Sequence, residues 1–304
     1  MSVVVAGHTG LVGSAIFEAL QANGETVVGI NSKVVDLLDR NRTFEFVHDV
    51  KPSLIIDSAA IVGGIGANNR YPVDFLSKHL QIQNNLMDAA HAANVERFVF
   101  LGSSCIYPRE CPQPIKEEYL LTGSLETTNS AYAVAKIACI ELIKSYRKQF
   151  NRRWISLMPT NMYGPRDNFD LETSHVLPAF INRFVSARNQ SADSVTLWGT
   201  GNPRREFLHT HDLAEAVILA ADKYDGDSHL NVGTGTDLTI KELAELVADS
   251  SDFTGEIHWD STKPDGTPRK VLDISRLQAL GWSPKISLKD GISETIRWFE
   301  SNIN

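Results

Sequence analysis

A strand that runs straight into a glycine turn and leaves it as a helix gives a chain few options. Residues 2–6, Ser-Val-Val-Val-Ala, form an apolar run of strand length, and Gly7-His8-Thr9-Gly10-Leu11-Val12-Gly13 follows at once. Leu11, Ala15, Ile16, Ala19 and Leu20 then recur at helical spacing and predict a helix over 11–23. Glycines let the backbone approach a ligand closely, and a helix N-terminus attracts negative charge. Gly7, Thr9, Gly10, Leu11, Val12 and Gly13 are therefore candidate contacts for a dinucleotide pyrophosphate. The spacing is Gly-x-x-Gly-x-x-Gly rather than Gly-x-Gly-x-x-Gly. Its place after the first strand and before a helix carries the assignment, since a glycine triplet alone is weak.

The end of the second strand, 26–30, selects the cofactor. An acidic residue there would bind the ribose hydroxyls of NAD, and the chain has Asn31-Ser32-Lys33 instead. Ser32 and Lys33 suit a 2′-phosphate and predict NADP(H); the alternative for Lys33 is a solvated loop lysine. Asp36 is a candidate adenine contact.

Alternation continues with a helix over 43–50, a strand over 54–57, a helix over 72–93, a strand over 97–101, a helix over 130–149 and a strand over 154–157. This order predicts an α/β chain with a Rossmann-like, doubly wound parallel sheet. From Pro159 the pattern loosens. A helix is expected over 176–187 and strands over 195–198 and 204–208. Asp212-x-x-Glu215 and Thr239-x-x-Glu242 resemble capping boxes that open two helices. A basic loop spans 263–270, and an amphipathic helix closes the chain over 288–300. The expected division is 1–165 for the dinucleotide and 166–304 for a smaller α/β substrate domain, from which the chain can return to the first.

Two short runs hold the chemistry. Gly102-Ser103-Ser104-Cys105-Ile106-Tyr107 follows the strand 97–101, at the sheet edge where ligands bind in open α/β folds. Tyr132-Ala133-Val134-Ala135-Lys136 places Tyr132 and Lys136 on one helix face. An ammonium beside a phenol favours the phenolate, and at 4 Å that attraction is worth about 4 kcal/mol at an effective dielectric near 20. This predicts a Tyr132 pKa roughly 1–3 pH units below the ordinary value of about 10. Such a tyrosine exchanges protons near neutrality. Ser103 can donate to the same substrate oxygen, and Cys105 can act as a base on carbon. Each feature has a plainer alternative: a solvated helix face, a simple turn, and a small buried hydrophobe. The order along the chain favours the chemical reading.

Composition narrows the classes. The chain has 304 residues, 42% apolar and 22% charged, with a net charge of −8, which suits a globular protein with a large core and argues against a nucleic-acid partner. Cys105, Cys111 and Cys139 are odd in number and lack C-x-x-C spacing, so neither a disulfide scaffold nor a cysteine metal site is expected. No apolar run reaches the roughly 18 residues of a membrane span. The start, Met1 to Gly7, reads as a strand rather than a signal peptide, so a cytoplasmic location is expected.

These motifs together resemble the extended short-chain dehydrogenase/reductases. Within them, the motifs are similar to the branch that epimerises GDP-4-keto-6-deoxy-mannose at C3 and C5 and reduces C4 with NADPH. Further runs carry the likeness: Pro159-Thr160-Asn161-Met162-Tyr163-Gly164-Pro165, Ser174-His175-Val176-Leu177-Pro178-Ala179, Trp198-Gly199-Thr200-Gly201 and Arg205-Glu206-Phe207-Leu208-His209. The resemblance implies Ser103, Tyr132 and Lys136 as a reductase triad, and Cys105 and His175 as base and acid of epimerisation. It also implies Asn161 and His175 beside the cofactor, and Val176, Arg183, Trp198, Arg205 and Lys270 around the GDP-sugar. A homodimer through the helices 72–93 and 130–149 follows from the same likeness. Thr9 and Lys33 stand where members often have arginine, which implies a weaker NADP preference. The nearest alternatives on the same scaffold are an enzyme acting on a 3-deoxy form of the substrate, which these motifs do not separate, and a GDP-mannose 3,5-epimerase that retains NAD. The remote alternative is a non-catalytic sensor of NADP(H), which would not need Ser103, Cys105, Tyr132, Lys136 and His175 together.

Overall fold

Six parallel strands form the central sheet, in the order Leu230–Val232, Ile155–Pro159, Arg97–Leu101, Leu54–Asp57, Ser2–Ala6 and Thr26–Ile30. They are seen in a computed structural model that describes residues 2–263 and 265–303; Met1, Pro264 of the basic loop and Asn304 lie outside the described residues. Arg97–Leu101 and Ile155–Pro159 are buried along their whole length, as a parallel sheet covered on both faces requires. Strand order reverses between Ser2–Ala6 and Leu54–Asp57, which opens a crevice at their carboxyl ends. The fold is thus the α/β, Rossmann-like sheet expected from the alternation.

The sixth strand was not expected. Leu230–Val232 comes from the second half of the chain and pairs with Leu157–Pro159. Just before it, helix Thr210–Lys223 packs against Leu11–Ala22. The polypeptide therefore returns to the first core after building part of a second. That second core gathers Phe180, Phe184, Leu197, Val247 and Phe299 from the helices Val176–Asn189, Ile240–Ser250 and Leu288–Asn302 and the strand Ser194–Trp198.

Three local expectations need correction. The helix expected over 72–93 contains a π-helical turn, Asp74–Lys78, before the regular helix His79–Ala92. There the buried His79 ring bonds the Phe75 carbonyl through Nδ1 at 2.6 Å, competing with the regular ladder. The strand expected over 204–208 is two pieces, Arg204–Arg205 and Phe207–His209, divided at Glu206. Asp212 does not cap its own helix, which starts at Thr210. Its carboxylate accepts from the backbone N–H groups of Lys285 and Ile286 at 3.1 and 3.0 Å, tying down the approach to the last helix. Thr239 and Glu242 do form the expected capping box. No helix among the described residues is long and apolar enough to cross a membrane.

Arg97 ties the returning segment to the sheet. Its buried guanidinium donates to the carbonyls of Ala221 (2.8 Å), Ala220 (3.1 Å), Tyr224 and Arg153. Burial lowers its pKa to about 10, so it stays charged at neutral pH. Arg97→Met keeps the bulk and strands these carbonyls. The expected cost is roughly 2–4 kcal/mol. Equilibrium urea unfolding measures it, and an unchanged midpoint would show that the link contributes nothing.

Candidate active site

The glycine turn is built for close approach. Gly7 sits at φ +80°, and a Cβ there would meet the Ala59 nitrogen at 3.0 Å. A Cβ on Gly13 would stand 2.2 Å from the Gly7 carbonyl oxygen. Gly10 caps the helix Leu11–Ala22 with no side chain over its end, and Thr9 and Gly10 are exposed. This open cradle at the strand-order switch fits a dinucleotide pyrophosphate. Leu11 and Val12 start the helix, partly buried. Ser32 and Lys33 are exposed beyond the second strand, in a turn held by Asn31 Oδ1, which accepts from the Lys33 N–H at 2.9 Å. Asp36 uses Oδ1 to accept from the Leu38 N–H at 3.0 Å.

Both chemical runs meet at the end of the strand Arg97–Leu101. Ser103 follows Gly102 in extended backbone, and its Oγ accepts from the Cys105 N–H at 3.2 Å. Tyr132 lies in the first turn of helix Ser130–Phe150, with Lys136 one turn later. Lys136 is 2% exposed, and its Nζ donates to the Leu101 carbonyl at 2.9 Å. That ammonium stands 4.8 Å from the centre of the Phe100 ring and 5.6 Å from that of Tyr132. The shared helix face is as expected; the direction of the Tyr132 pKa is not. Burial raises it well above the ordinary tyrosine range, and Cys105 adds to the rise, while a hydrogen bond with Ser103 lowers it. Desolvation wins because Lys136 is directed to Leu101 rather than to the phenol oxygen.

Four side chains around this pair went unnoticed in the sequence. His79 presents its ring edge-on to Tyr132 at 5.1 Å, with Phe75 similarly placed at 6.2 Å. The His79 Nε2 accepts from the Ile61 N–H at 3.1 Å, so Nδ1 carries the proton towards Phe75. Burial, with Lys136 nearby, lowers the His79 pKa to about 4 and keeps the ring neutral. Asp57 ends its strand fully buried, and Gln83 reaches the Ala59 carbonyl at 3.0 Å. A charged residue ending the apolar run Leu54-Ile55-Ile56 was the available signal.

Across the crevice, residues of the second half approach Cys105. The strands Arg204–Arg205 and Arg269–Lys270 run parallel with Arg205 opposite Lys270. Lys270 Nζ lies 3.7 Å from Cys105 Sγ. Arg205 is partly buried and loses basicity through burial, offset first by Cys105 and then by Asp265 and Glu126. Glu206, fully buried directly after the first of these strands, accepts from the N–H groups of Thr234 (2.6 Å), Gly235 (2.6 Å) and Leu272 (2.9 Å). Cys105, Arg109, Glu126, Thr267 and Lys270 line one pocket. Asp265 accepts from the Thr200 N–H and hydroxyl at 2.7 Å, closing the basic loop onto the turn after Trp198. Trp198 itself is 67% exposed, with Lys263 Nζ 5.5 Å from its ring centre.

Other candidates stand at the edge of this assembly. His175 precedes helix Val176–Asn189 with its surface open to water. Burial of the imidazole against surrounding protein lowers its pKa. Val176 and Arg183 lie seven residues apart on this helix, both partly buried. Asn161 is engaged in the fold: its Nδ2 donates to the Glu206 carbonyl at 2.8 Å.

Crevice, glycine cradle and Tyr-x-x-x-Lys pair define a dinucleotide-dependent class, and the chain belongs to the NAD dependent epimerase/dehydratase family, whose model matches residues 3–233. Among curated proteins it is 52% identical to "Putative GDP-L-fucose synthase 2" of Arabidopsis thaliana, covering 99% of this chain and 92% of that one. It is 46% identical to "GDP-L-fucose synthase" of Escherichia coli, over 99% and 97% of the two chains. A solved GDP-L-fucose synthetase from Naegleria fowleri, bound to NADP, superposes with a TM-score of 0.91 at 27% identity, over 99% and 94% of the chains.

Two substitutions separate the cradle from the 2′-phosphate subsite. Gly13→Ala forces the turn apart and is expected to weaken NADPH and NADH binding alike, by about tenfold or more, the loss of one or two charge-assisted bonds. Lys33→Ala is expected to weaken NADPH alone, by roughly 5- to 150-fold. Fluorescence titration of the reduced cofactors checks both, and equal losses for the two cofactors in Lys33→Ala would remove Lys33 from the subsite.

Proposed function

We propose that this protein is a GDP-L-fucose synthase, converting GDP-4-keto-6-deoxy-mannose with NADPH. The observation that carries the reading is the convergence of Ser103, Tyr132 and Cys105 at one strand end, with Lys270 and Arg205 brought to the same place from the second half. The pair of cations suits a nucleotide diphosphate. Full-length likeness to the plant and bacterial synthases supports the same substrate.

In a 4-keto sugar the hydrogens at C3 and C5 are both alpha to the carbonyl. Removing either leaves an enolate at O4, where Tyr132 and Ser103 donate. Cys105 takes the proton from carbon, and His175 returns one to the opposite face. A thiol is a soft base able to take a proton from carbon, and an imidazole can return one. Bound NADPH supplies hydride to C4. Tyr132 protonates O4, and Lys136 holds the nicotinamide ribose and the charge left on the phenol. Ser32 and Lys33 take the 2′-phosphate, with Asp36 at the adenine, Asn161 lining the cofactor, and Val176, Arg183 and Trp198 completing the sugar-nucleotide pocket. We assign 1–165 to the dinucleotide and 166–304 to the sugar, with the segment 210–232 returning to the first. Three free cysteines suit a reducing, cytoplasmic compartment.

Purified protein incubated with GDP-4-keto-6-deoxy-mannose and NADPH should yield GDP-L-fucose by NMR; no turnover, or preference for a 3-deoxy ketone, would overturn the assignment. Two variants divide the reaction. Tyr132→Phe is expected to lose at least about 10²-fold in C4 reduction, and Cys105→Ser about 10²–10⁴-fold in deuterium uptake at C3 and C5 in heavy water without NADPH. Wild-type exchange by Cys105→Ser would place the base elsewhere.

The helical segments 72–92 and 130–150 carry exposed apolar side chains, Val73, Val134 and Phe150 among them, and suit a homodimer interface. Light scattering at micromolar concentration is expected to give twice the chain mass, and a monomer would refute the interface.

A further inference from the structure

Lys136 is a buried cation whose charge needs an answer. Of its three N–H donors, one is used among the described residues, on the uncharged Leu101 carbonyl. Tyr132 and Cys139 lie on its own helix, Cys105 beyond the neighbouring strand, and His79 on the facing helix, where burial keeps it neutral. Burial disfavours the charge on Lys136, and the Asp57 carboxylate offsets this more strongly than Cys139 or Cys105.

Asp57 is placed for this by the sheet. It is the last residue of Leu54–Asp57 and pairs in register with Phe100, the residue before Leu101 and the ring beneath the Lys136 ammonium. Asp57 is 1% exposed. Its Oδ1 accepts from the Ala59 N–H at 3.1 Å, and its Oδ2 has no hydrogen-bond partner among the described residues. A carboxylate oxygen buried without a donor is costly unless a cation compensates it. The influence is mutual: burial raises the Asp57 pKa to about 7, and Lys136 is the largest effect opposing that rise, ahead of the Ala59 N–H and the Gln83 side chain.

We propose that Asp57 is the buried counter-charge of Lys136, a positioning residue that keeps the lysine protonated beneath Tyr132. The proposal rests on the epimerase/reductase reading for its consequence. When Tyr132 gives its proton to O4, the phenolate left behind is held by an ammonium that Asp57 maintains. Asp57 touches neither sugar nor nicotinamide in this role; it acts through Lys136.

Removing the anion should let Lys136 lose its proton at lower pH. In protein carrying ¹³Cε-lysine, the Lys136 signal, identified by its loss in Lys136→Met, is expected to titrate about one pH unit lower in Asp57→Asn, a tenfold change in proton affinity. Asp57→Glu should restore the wild-type midpoint. Asp57→Ser serves in place of Asn if thermal melting shows that Asn disrupts the sheet edge. In steady-state kinetics the alkaline limb of kcat for ketone reduction should move down by the same interval, with KM for the GDP-sugar within about twofold of wild type. An unmoved lysine midpoint in a folded neutral variant overturns the proposal. A moved midpoint in a protein that reduces no GDP-ketose upholds it and refutes the functional reading instead.

Discussion

One hydrogen bond, from the Lys136 ammonium to the Leu101 carbonyl, sets the geometry of the centre. It joins helix Ser130–Phe150 to the end of strand Arg97–Leu101 and turns Tyr132 towards Ser103. An ammonium with almost no contact with water is expensive to keep, and its surroundings compensate: the Phe100 face, the strand-terminal carbonyl and the Asp57 carboxylate one strand away. Tyr132 is held on its other side by His79 and Phe75, at a π-helical turn that the His79 side chain itself maintains. Packing and charge thus fix the phenol before any substrate enters, as electrostatic preorganisation requires.

A second buried carboxylate organises the opposite wall. Glu206 gathers three backbone N–H groups from two separate segments, the turn at Thr234–Gly235 and the strand exit at Leu272. Its neighbours in sequence and in the sheet, Arg205 and Lys270, are thereby presented side by side towards Cys105. Hydrogen-bond donors hold Glu206 while a distant cation balances Asp57, two solutions to the same desolvation problem.

Local pattern made much of this legible. The strands 2–6, 26–30, 54–57 and 97–101 stand where hydrophobic runs place them, because each is long and apolar enough to be unambiguous. The glycine cradle, the Ser-Ser-Cys run and the Tyr-x-x-x-Lys pair are read from spacing together with their place and order along the chain, since a turn and one helical repeat define each motif and the alternation of strands and helices gives it a context. Leu230–Val232 is too short and too ordinary in composition to announce itself; pairing with Leu157–Pro159 makes it a strand. The strand break at Glu206 and the engagement of Asp212 with Lys285 and Ile286 were likewise invisible, since both depend on partners far along the chain.

By itself the sequence determined the class of fold, the dinucleotide cradle and the residue types at the catalytic edge, all consequences of local periodicity and backbone freedom. Tertiary structure decided what those residues experience. Lys270 reaches Cys105 across 165 positions of sequence, and Asp57 faces Lys136 only because two strands stand side by side. The proton affinity of Tyr132 follows from burial, against the direction that its spacing from Lys136 suggested. Desolvation is a property of everything packed around a group, and that enclosure is assembled from segments that no local pattern relates.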